Sequence, residues 1–106
     1  MDVALTFGAL GDPVRRAIVE RLVAGDATVN EIAELFPISL QAVSKHIKVL
    51  EAASVVTRRR EGRTRPVSLD PAALDGSAEW LEARRRGLQT RFERLDVLLD
   101  EMKGTP

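Results

Sequence analysis

The sequence has no cysteine, few aromatic residues and no long apolar run. The absence of cysteine excludes disulfides, thiolate nucleophiles and thiolate metal sites. Aromatic residues amount to 4% of the chain, so the core must consist mainly of leucine, valine, isoleucine and alanine. No apolar run approaches the roughly 20 residues that span a bilayer, and the N-terminus lacks the pattern of a signal peptide. We therefore expect a soluble, cytoplasmic protein with no membrane partner.

The residue sets that common enzymes require are also missing. The single histidine, His46, has no evident nucleophile beside it, and the sequence has no glycine-rich phosphate loop. A zinc site needs four suitable ligands, and no such set can be assembled. We expect neither an enzyme nor a bound cofactor or metal.

The charge is balanced overall but unevenly distributed. The 106 residues contain 16 basic and 16 acidic side chains, and a net charge of zero by itself argues against a nucleic-acid-binding protein. From Gln41 to Arg65, however, seven basic residues face two acidic ones, giving +5, so the rest of the chain carries −5. A net charge of zero is therefore compatible with a basic segment in an otherwise acidic chain.

Two helices are predicted before residue 25. The first is short and ends between Gly8 and Gly11; its apolar residues are Val3, Phe7 and Leu10. The second begins at Asp12 as N-cap with Pro13 as first helical residue, and Gly25 ends it. Its inner stripe is Val14, Ile18 and Leu22, with Ala17 beside it. Arg15 and Arg16 are expected on its solvated side, where one of them is a possible phosphate contact.

The next two helices have the spacing of a helix-turn-helix. Thr28 and Glu31 form a capping box, and Pro37 cannot lie inside the short helix that follows. The apolar side of this helix is Val29, Ile32, Ala33 and Phe36. Ser39 then caps a fourth helix after a turn of about three residues, which completes the motif.

The stretch from Ser39 to Ala53 organises the rest of the chain. One stripe is apolar, formed by Val43, Ile47 and Leu50, and the other face carries Gln41, Ser44, Lys45, His46 and Lys48. Such a helix can lie in a DNA major groove and meet bases and phosphates. Taken alone, it favours an ordinary amphipathic surface helix with a solvated polar face; the motifs before and after it favour DNA binding instead.

The polar side chains of this stretch have different expected roles. Gln41 is the best candidate for reading a base, because its amide can pair with both edge groups of adenine. Ser44 and Lys45 are expected to contact either bases or phosphates. Lys48 and His46 are expected at phosphates, although His46 is equally suited to a local structural role.

A β-hairpin follows this helix. Val55 to Thr57 are β-branched, Glu61-Gly62 is a turn signal, and Arg63 to Leu69 would return as the second strand with Val67 and Leu69 facing the core. Because Pro66 cannot donate to a ladder, an edge position is expected there. The hairpin would be tipped with five arginines, which favour phosphate or minor-groove contacts over a merely solvated face: Arg58, Arg59, Arg60, Arg63 and Arg65.

A long helix closes the chain. Asp70 and Pro71 begin it, a break near Gly76 is possible, and it runs to about Met102. Its stripe has heptad spacing at Leu81, Leu88, Leu95 and Met102, widened by Trp80, Phe92, Leu98 and Leu99. The far half has little chain left to cover it, which indicates a partner subunit, although folding back onto the core is the alternative. Arg84, Arg85 and Arg86 are expected on its solvent-exposed face. Only residues 104–106 are expected to fray.

Three stretches resemble the ArsR family of bacterial winged-helix transcriptional regulators. They are Leu10-Gly11-Asp12-Pro13-Val14-Arg15-Arg16-Ala17-Ile18, Ala42-Val43-Ser44-Lys45-His46-Ile47-Lys48-Val49-Leu50 and Arg58-Arg59-Arg60-Glu61-Gly62-Arg63. The resemblance covers Leu5 to Met102. It implies a mainly α winged helix-turn-helix domain over 1–103, of order α-α-α-α-β-β-α with a long C-terminal dimerisation helix, and a tail at 104–106. It also implies a homodimeric regulator, usually a repressor, that binds double-stranded operator DNA.

The resemblance assigns roles to two sets of residues. It places the recognition helix over 39–53 and the wing over 55–69, and the expected DNA contacts are Ser39, Gln41, Ala42, Ser44, Lys45, His46, Lys48, Arg58, Arg60, Arg63 and Arg65. It pairs subunits through the first and last helices, and the expected interface is Val3, Leu5, Phe7, Trp80, Leu81, Leu88, Phe92, Leu95 and Leu99.

The sequence departs from the metal-sensing members of that family. Their sites use cysteines near the helix before the recognition helix, where this chain has Glu34 to Pro37, or aspartate and histidine on the last helix, which has no histidine here. No metal effector is therefore expected. The alternative function is a protein-interaction module whose basic segment meets an acidic protein surface.

Overall fold

The computed structural model describes residues 2–104 and contains five helices and a two-stranded sheet within them. The elements are α1 (Val3–Ala9), α2 (Pro13–Val23), α3 (Val29–Ala33), α4 (Leu40–Ala52), β1 (Val56–Arg58), β2 (Val67–Leu69) and α5 (Pro71–Lys103). The predicted order and the mainly α architecture with a small hairpin are confirmed. Thr105 and Pro106, two of the three residues expected to fray, lie outside the described residues, and Gly104 donates its backbone N–H to the Asp100 carbonyl at 2.8 Å.

The predicted helix starts are confirmed by their capping hydrogen bonds. The Asp12 carboxylate accepts from the Val14 and Arg15 amides at 2.9 and 3.1 Å. Thr28 and Glu31 form both bonds of the capping box, and the Ser39 hydroxyl accepts from the Ala42 amide at 3.1 Å. Each cap satisfies amides that the first helical turn leaves without a partner.

The core consists of aliphatic side chains from α2, α3, α4 and both strands. Its fully buried members are Ile18, Ile32, Val43, Ile47, Leu50, Val55, Val56 and Val67. The inward side of α4 is therefore the predicted one. The prediction that Ala17 lies beside the inner stripe of α2 is wrong. Ile18 points inward, and Ala17, about 100° around the helix from it, is exposed. In α1 the buried residues are Thr6 and Ala9, while Phe7 stays partly exposed.

The hairpin pairs three residues on each strand. β1 and β2 are antiparallel in the register Val56–Leu69, Thr57–Ser68 and Arg58–Val67. The Glu61-Gly62 turn is confirmed: Gly62 has φ +58°, and Glu61 and Thr64 exchange two backbone hydrogen bonds of 2.9 Å.

The second strand is shorter and less exposed than predicted. It begins at Val67 rather than at Arg63, because Pro66 has no amide proton for the ladder. β2 is an edge strand of the two-stranded sheet, as expected, but its outer side is not free. On the side away from β1, Val67 exchanges backbone hydrogen bonds of 2.7 and 3.2 Å with Ala27, and Pro66 is buried. The stretch before α3 is thereby tied to the base of the hairpin.

Helix α5 projects from the domain. It continues without a break through Gly76, so the possible break there is wrong, and 33 residues make it about 50 Å long. Only its first turns are buried, at Ala73 and Ser77, and every described residue from Arg84 onward is exposed. The principal extents are 78 × 26 × 22 Å, and the radius of gyration is 20.6 Å against about 13 Å for a compact chain of this length. The alternative that α5 folds back onto its own core is wrong.

Within residues 2–104, no helix combines the length and the hydropathy needed to traverse a bilayer. The apolar residues of α5 are interrupted throughout by charged ones, so its exposed stripe is a surface feature of an amphipathic helix.

Candidate nucleic-acid interface

One face of α4 gathers the side chains that can contact a duplex. Its other side is locked into the core by Val43, Ile47 and Leu50, none of which is exposed. On the outward side, one shallow depression is lined by Leu40, Gln41, Ser44, Lys45 and Lys48. Burial of the inner stripe therefore fixes the rotation of α4 and the direction of these polar groups.

Leu40 belongs to this surface and was missed by the sequence prediction. Its side chain remains 47% exposed although it precedes Val43 and Ile47 at the spacing of the buried stripe. The periodicity of the sequence makes Leu40 look like a core residue. The one sequence signal for its exposure was its place in the first turn of the helix, where no neighbouring element covers it.

Three other predicted contacts lie differently on α4. Ser39 is exposed, but its hydroxyl is engaged by the Ala42 amide, and Ala42 is half-buried; neither lines the depression. His46 is directed toward α2: its Nδ1 lies 3.3 Å from Arg15 Nη1 and 3.8 Å from an Asp12 carboxylate oxygen. Arginine has only donors, so Nδ1 accepts this hydrogen bond when the imidazole is neutral, whereas the protonated ring is attracted to Asp12 instead. These contacts fit the local structural role that was the alternative to a phosphate contact for His46.

The guanidinium of Arg15 joins three helices. Its Nε donates to the Ala9 carbonyl at 2.6 Å and its Nη2 to the Gly8 carbonyl at 3.3 Å, while Nη1 meets His46. The expectation of a solvated Arg15 is wrong, because the end of α1 offers two backbone carbonyls to its guanidinium. Arg16 is exposed, as expected, and donates to the Leu10 carbonyl at 3.1 Å.

Asp12 is the acidic member of this junction. The amide of Arg15 donates to its carboxylate and holds the pKa of Asp12 below its ordinary value, with further lowering by His46 and the Val14 amide. A depressed folded-state pKa means that the carboxylate stabilises the fold above its unfolded pKa, and that this contribution disappears as the pH falls through the folded pKa.

Replacement of Asp12 by Asn should therefore give a pH-dependent loss of stability. Asparagine keeps the N-cap but not the charge, so we expect the Asp12→Asn variant to be less stable than the parent protein at pH 7. The difference should shrink as the pH falls below the ordinary aspartate pKa of about 4 and should vanish below the lowered pKa of the folded protein. Urea unfolding at fixed protein concentration between pH 3 and 7 measures it; a pH-independent difference would contradict the electrostatic origin.

The arginines of the hairpin divide into two groups. Arg58 is wrongly predicted at the tip: its side chain lies on β1, is only 12% exposed and approaches Glu51 of α4 at 3.7 Å. Its Nε and Nη2 are buried without a hydrogen-bond partner. Arg59 is held by Glu61 at 2.9 Å and by Asp26 at 3.1 Å, and its hydrogen bond to Glu61 raises the pKa of the guanidinium.

The remaining three arginines are exposed and available to a partner. Within residues 2–104, no ion pair engages Arg60, Arg63 or Arg65. Arg60 and Arg65 line one depression, and Arg63 and Arg65 line a second beside the start of α3, with Thr28 and Asn30. Free guanidinium groups of this kind are suited to phosphate oxygens.

A separate apolar surface covers α1 and α5. Phe7 meets Trp80 edge to face, with ring centroids 5.8 Å apart, and the Arg84 guanidinium lies 4.5 Å from the Trp80 ring centroid. Arg85 and Arg86 instead pair with Glu82 on the wet face, as expected. The large apolar residues left exposed along this surface are Leu5, Phe7, Trp80, Leu81, Leu88, Phe92, Leu95, Leu98, Leu99 and Met102. Val3 is partly buried.

The described part of the chain contains no group of three or more histidine, aspartate or glutamate side chains that could hold a metal ion. The single histidine is already engaged with Arg15 and Asp12 on the side of α2.

Comparison with known proteins agrees with this architecture. A family profile described as a helix-turn-helix domain matches residues 10–59. The chain is 50% identical over 66 residues to the HTH-type transcriptional regulator Rv2034 of Mycobacterium tuberculosis, a match that covers 62% of each chain. It is 39% identical over 75 residues to the transcriptional repressor SdpR of Bacillus subtilis, covering 71% of this chain and 83% of that one.

A solved structure extends the likeness beyond the matched sequence segments. The crystal structure of an ArsR family transcriptional regulator superposes with a TM-score of 0.75 at 32% identity, over 81% of this chain and 89% of that chain. The resemblance predicted from the three sequence stretches is thereby confirmed. With its helix-turn-helix, its hairpin wing and its long final helix, the chain belongs to the ArsR family of winged helix-turn-helix transcriptional regulators.

Proposed function

We propose that the protein is a homodimeric repressor that binds a near-palindromic operator through α4 and the hairpin wing. The observation that carries this proposal is the orientation of α4. Its inner stripe is completely buried, and its outward depression presents an amide, a hydroxyl and two ammonium groups. The relatives named as transcriptional regulators support this function, and residues 1–103 would act as one domain.

The proposed contacts on each half-site come from two elements. Gln41 at the start of α4 would pair with an adenine, Ser44 and Lys45 would contact bases or phosphates, and Lys48 would contact a phosphate. Arg60, Arg63 and Arg65 of the wing would contact the backbone or the minor groove. We leave out Arg58 and His46, whose side chains are engaged by Glu51 and by α2, and we assign Ser39 and Ala42 to helix capping.

The proposed dimer uses the apolar surface of α1 and α5. That surface is a contiguous row of exposed apolar side chains, and every described residue of α5 from Arg84 onward is exposed in the single chain. A twofold axis through it would present two copies of α4 to successive major grooves, about 34 Å apart. The proposed interface residues are Val3, Leu5, Phe7, Trp80, Leu81, Leu88, Phe92, Leu95 and Leu99.

The salt dependence of DNA binding tests the wing. Each phosphate contact contributes about 0.9 to the slope of log affinity against log salt. We expect the double variant Arg60→Ala/Arg63→Ala, which removes four guanidiniums per dimer, to bind more weakly at low salt and to flatten that slope by up to about 3.6. Fluorescence anisotropy with the duplex upstream of the protein's own gene, at several salt concentrations, measures both quantities.

A matched variant separates this effect from a general loss of charge. Arg85→Ala/Arg86→Ala removes the same number of guanidiniums from α5, where they pair with Glu82, and should leave the slope unchanged. An unchanged slope in the wing variant would refute the wing assignment. No binding by the parent protein to this duplex at low salt, together with capture of an acidic protein, would favour the protein-interaction alternative.

A further inference from the structure

Leu40 is an apolar side chain in an otherwise polar surface. It occupies the first turn of α4, it is 47% exposed, and its neighbours in the depression are Gln41, Ser44, Lys45 and Lys48. Other exposed apolar residues of the motif, Leu35 and Ile38, precede α4 and do not line this depression.

The position of Leu40 indicates which group on DNA it can contact. In a helix-turn-helix, residues at the N-terminal end of the recognition helix meet base edges. The major-groove edges of the four base pairs present donors and acceptors, and among the ordinary bases only thymine also presents an apolar group, its C5-methyl. An isobutyl side chain has no hydrogen bond to offer, so a methyl group is the feature it can recognise.

We propose that Leu40 determines operator specificity by packing against the C5-methyl group of a thymine in each half-site. This inference rests on the proposed function. Leu40 and Gln41 are adjacent, and an adenine read by Gln41 carries its paired thymine on the opposite strand. One or two consecutive A·T pairs under the start of α4 would therefore satisfy both side chains, whereas a cytosine in place of the thymine leaves Leu40 against a polar edge.

The test removes the methyl group without changing any hydrogen-bonding group of the duplex. A randomised duplex library is first selected with the parent protein. Each thymine of the selected site is then replaced, one position per half-site at a time, by deoxyuridine. Affinities of the parent protein, Leu40→Ala and Val49→Ala are measured for every duplex. Val49 is an exposed aliphatic residue near the other end of α4 and outside the depression, so it serves as the control.

We expect one thymine position at which deoxyuridine weakens binding of the parent protein about fourfold per half-site, the effect of one buried methyl group. The same replacement should have no effect on Leu40→Ala and the full effect on Val49→Ala. If no thymine shows a penalty that depends on residue 40, the inference is overturned while the proposed function stands. If the library yields no enriched sequence at all, the proposed function itself fails.

Discussion

Leu95→Asp should convert the proposed dimer to monomers. Leu95 lies in the middle of the projecting stripe of α5, where it is 51% exposed in the single chain and flanked by Phe92 and Leu99. A dimer would cover two copies of Leu95, each contributing about 1.5–3 kcal/mol of apolar burial, and a carboxylate in its place must be desolvated instead. We expect dimerisation to weaken at least 100-fold, as measured by sedimentation equilibrium.

The same change should reduce DNA binding, because a monomer engages one half-site at a time and loses the advantage of bivalent contact. The control is Val97→Asp, which places the same charge on the same helix at a side chain that is 55% exposed and about 200° around from Leu95. That variant should remain dimeric. Because neither residue is buried in the single chain, both variants should keep the fold. Equal dimer affinity in the two variants would refute the proposed interface.

Arg15→Ala should produce the largest loss of stability among the surface arginines. The substitution leaves the Ala9 and Gly8 carbonyls without their guanidinium donor and removes the contact with His46. Hydrogen bonds to charged groups contribute about 1.5–3 kcal/mol, so we expect a loss of that size in the free energy of unfolding. Since α1 is thereby loosened from α2 and α4, weaker dimerisation through Phe7 should accompany it.

Arg16→Ala is the matched control. Arg16 adjoins Arg15 in sequence and carries the same charge, but it is exposed and makes one hydrogen bond, to the Leu10 carbonyl. Its removal should change stability by no more than about 0.5 kcal/mol. Urea unfolding at one fixed protein concentration compares the variants, because the stability of a dimer depends on concentration. Equal losses of unfolding free energy for both substitutions would show that the contacts of Arg15 with α1 and His46 do not stabilise the fold.

The elements of this fold were predictable because their signals are local. A capping residue such as Asp12 or Ser39 acts on amides within three positions, and the stripe of Val43 and Ile47 follows from helical geometry alone. The turn at Gly62 likewise depends on the conformational freedom of one residue. These patterns also carried the family resemblance, since the motif residues lie in the same stretches.

Features that depend on contacts between distant segments were not predictable. The burial of Arg58 follows from the register of the hairpin and from the position of Glu51 on α4, and nothing in a run of three arginines distinguishes the first from the others. His46 faces α2 because Arg15, 31 residues earlier, reaches it. The exposure of Leu40 was not predictable because the local pattern misleads: its spacing along the helix is that of a core residue.

The position of Trp80 has a practical consequence. It is the only tryptophan, and the chain contains no tyrosine, so near-ultraviolet emission of the protein comes essentially from one indole. That indole is 41% exposed, stacks edge to face on Phe7 and lies on the surface proposed to pair subunits. Association would shield it from water and move its emission to shorter wavelength. The single indole would thus serve as an intrinsic fluorescent reporter of the proposed dimerisation, and no dye or label would be required.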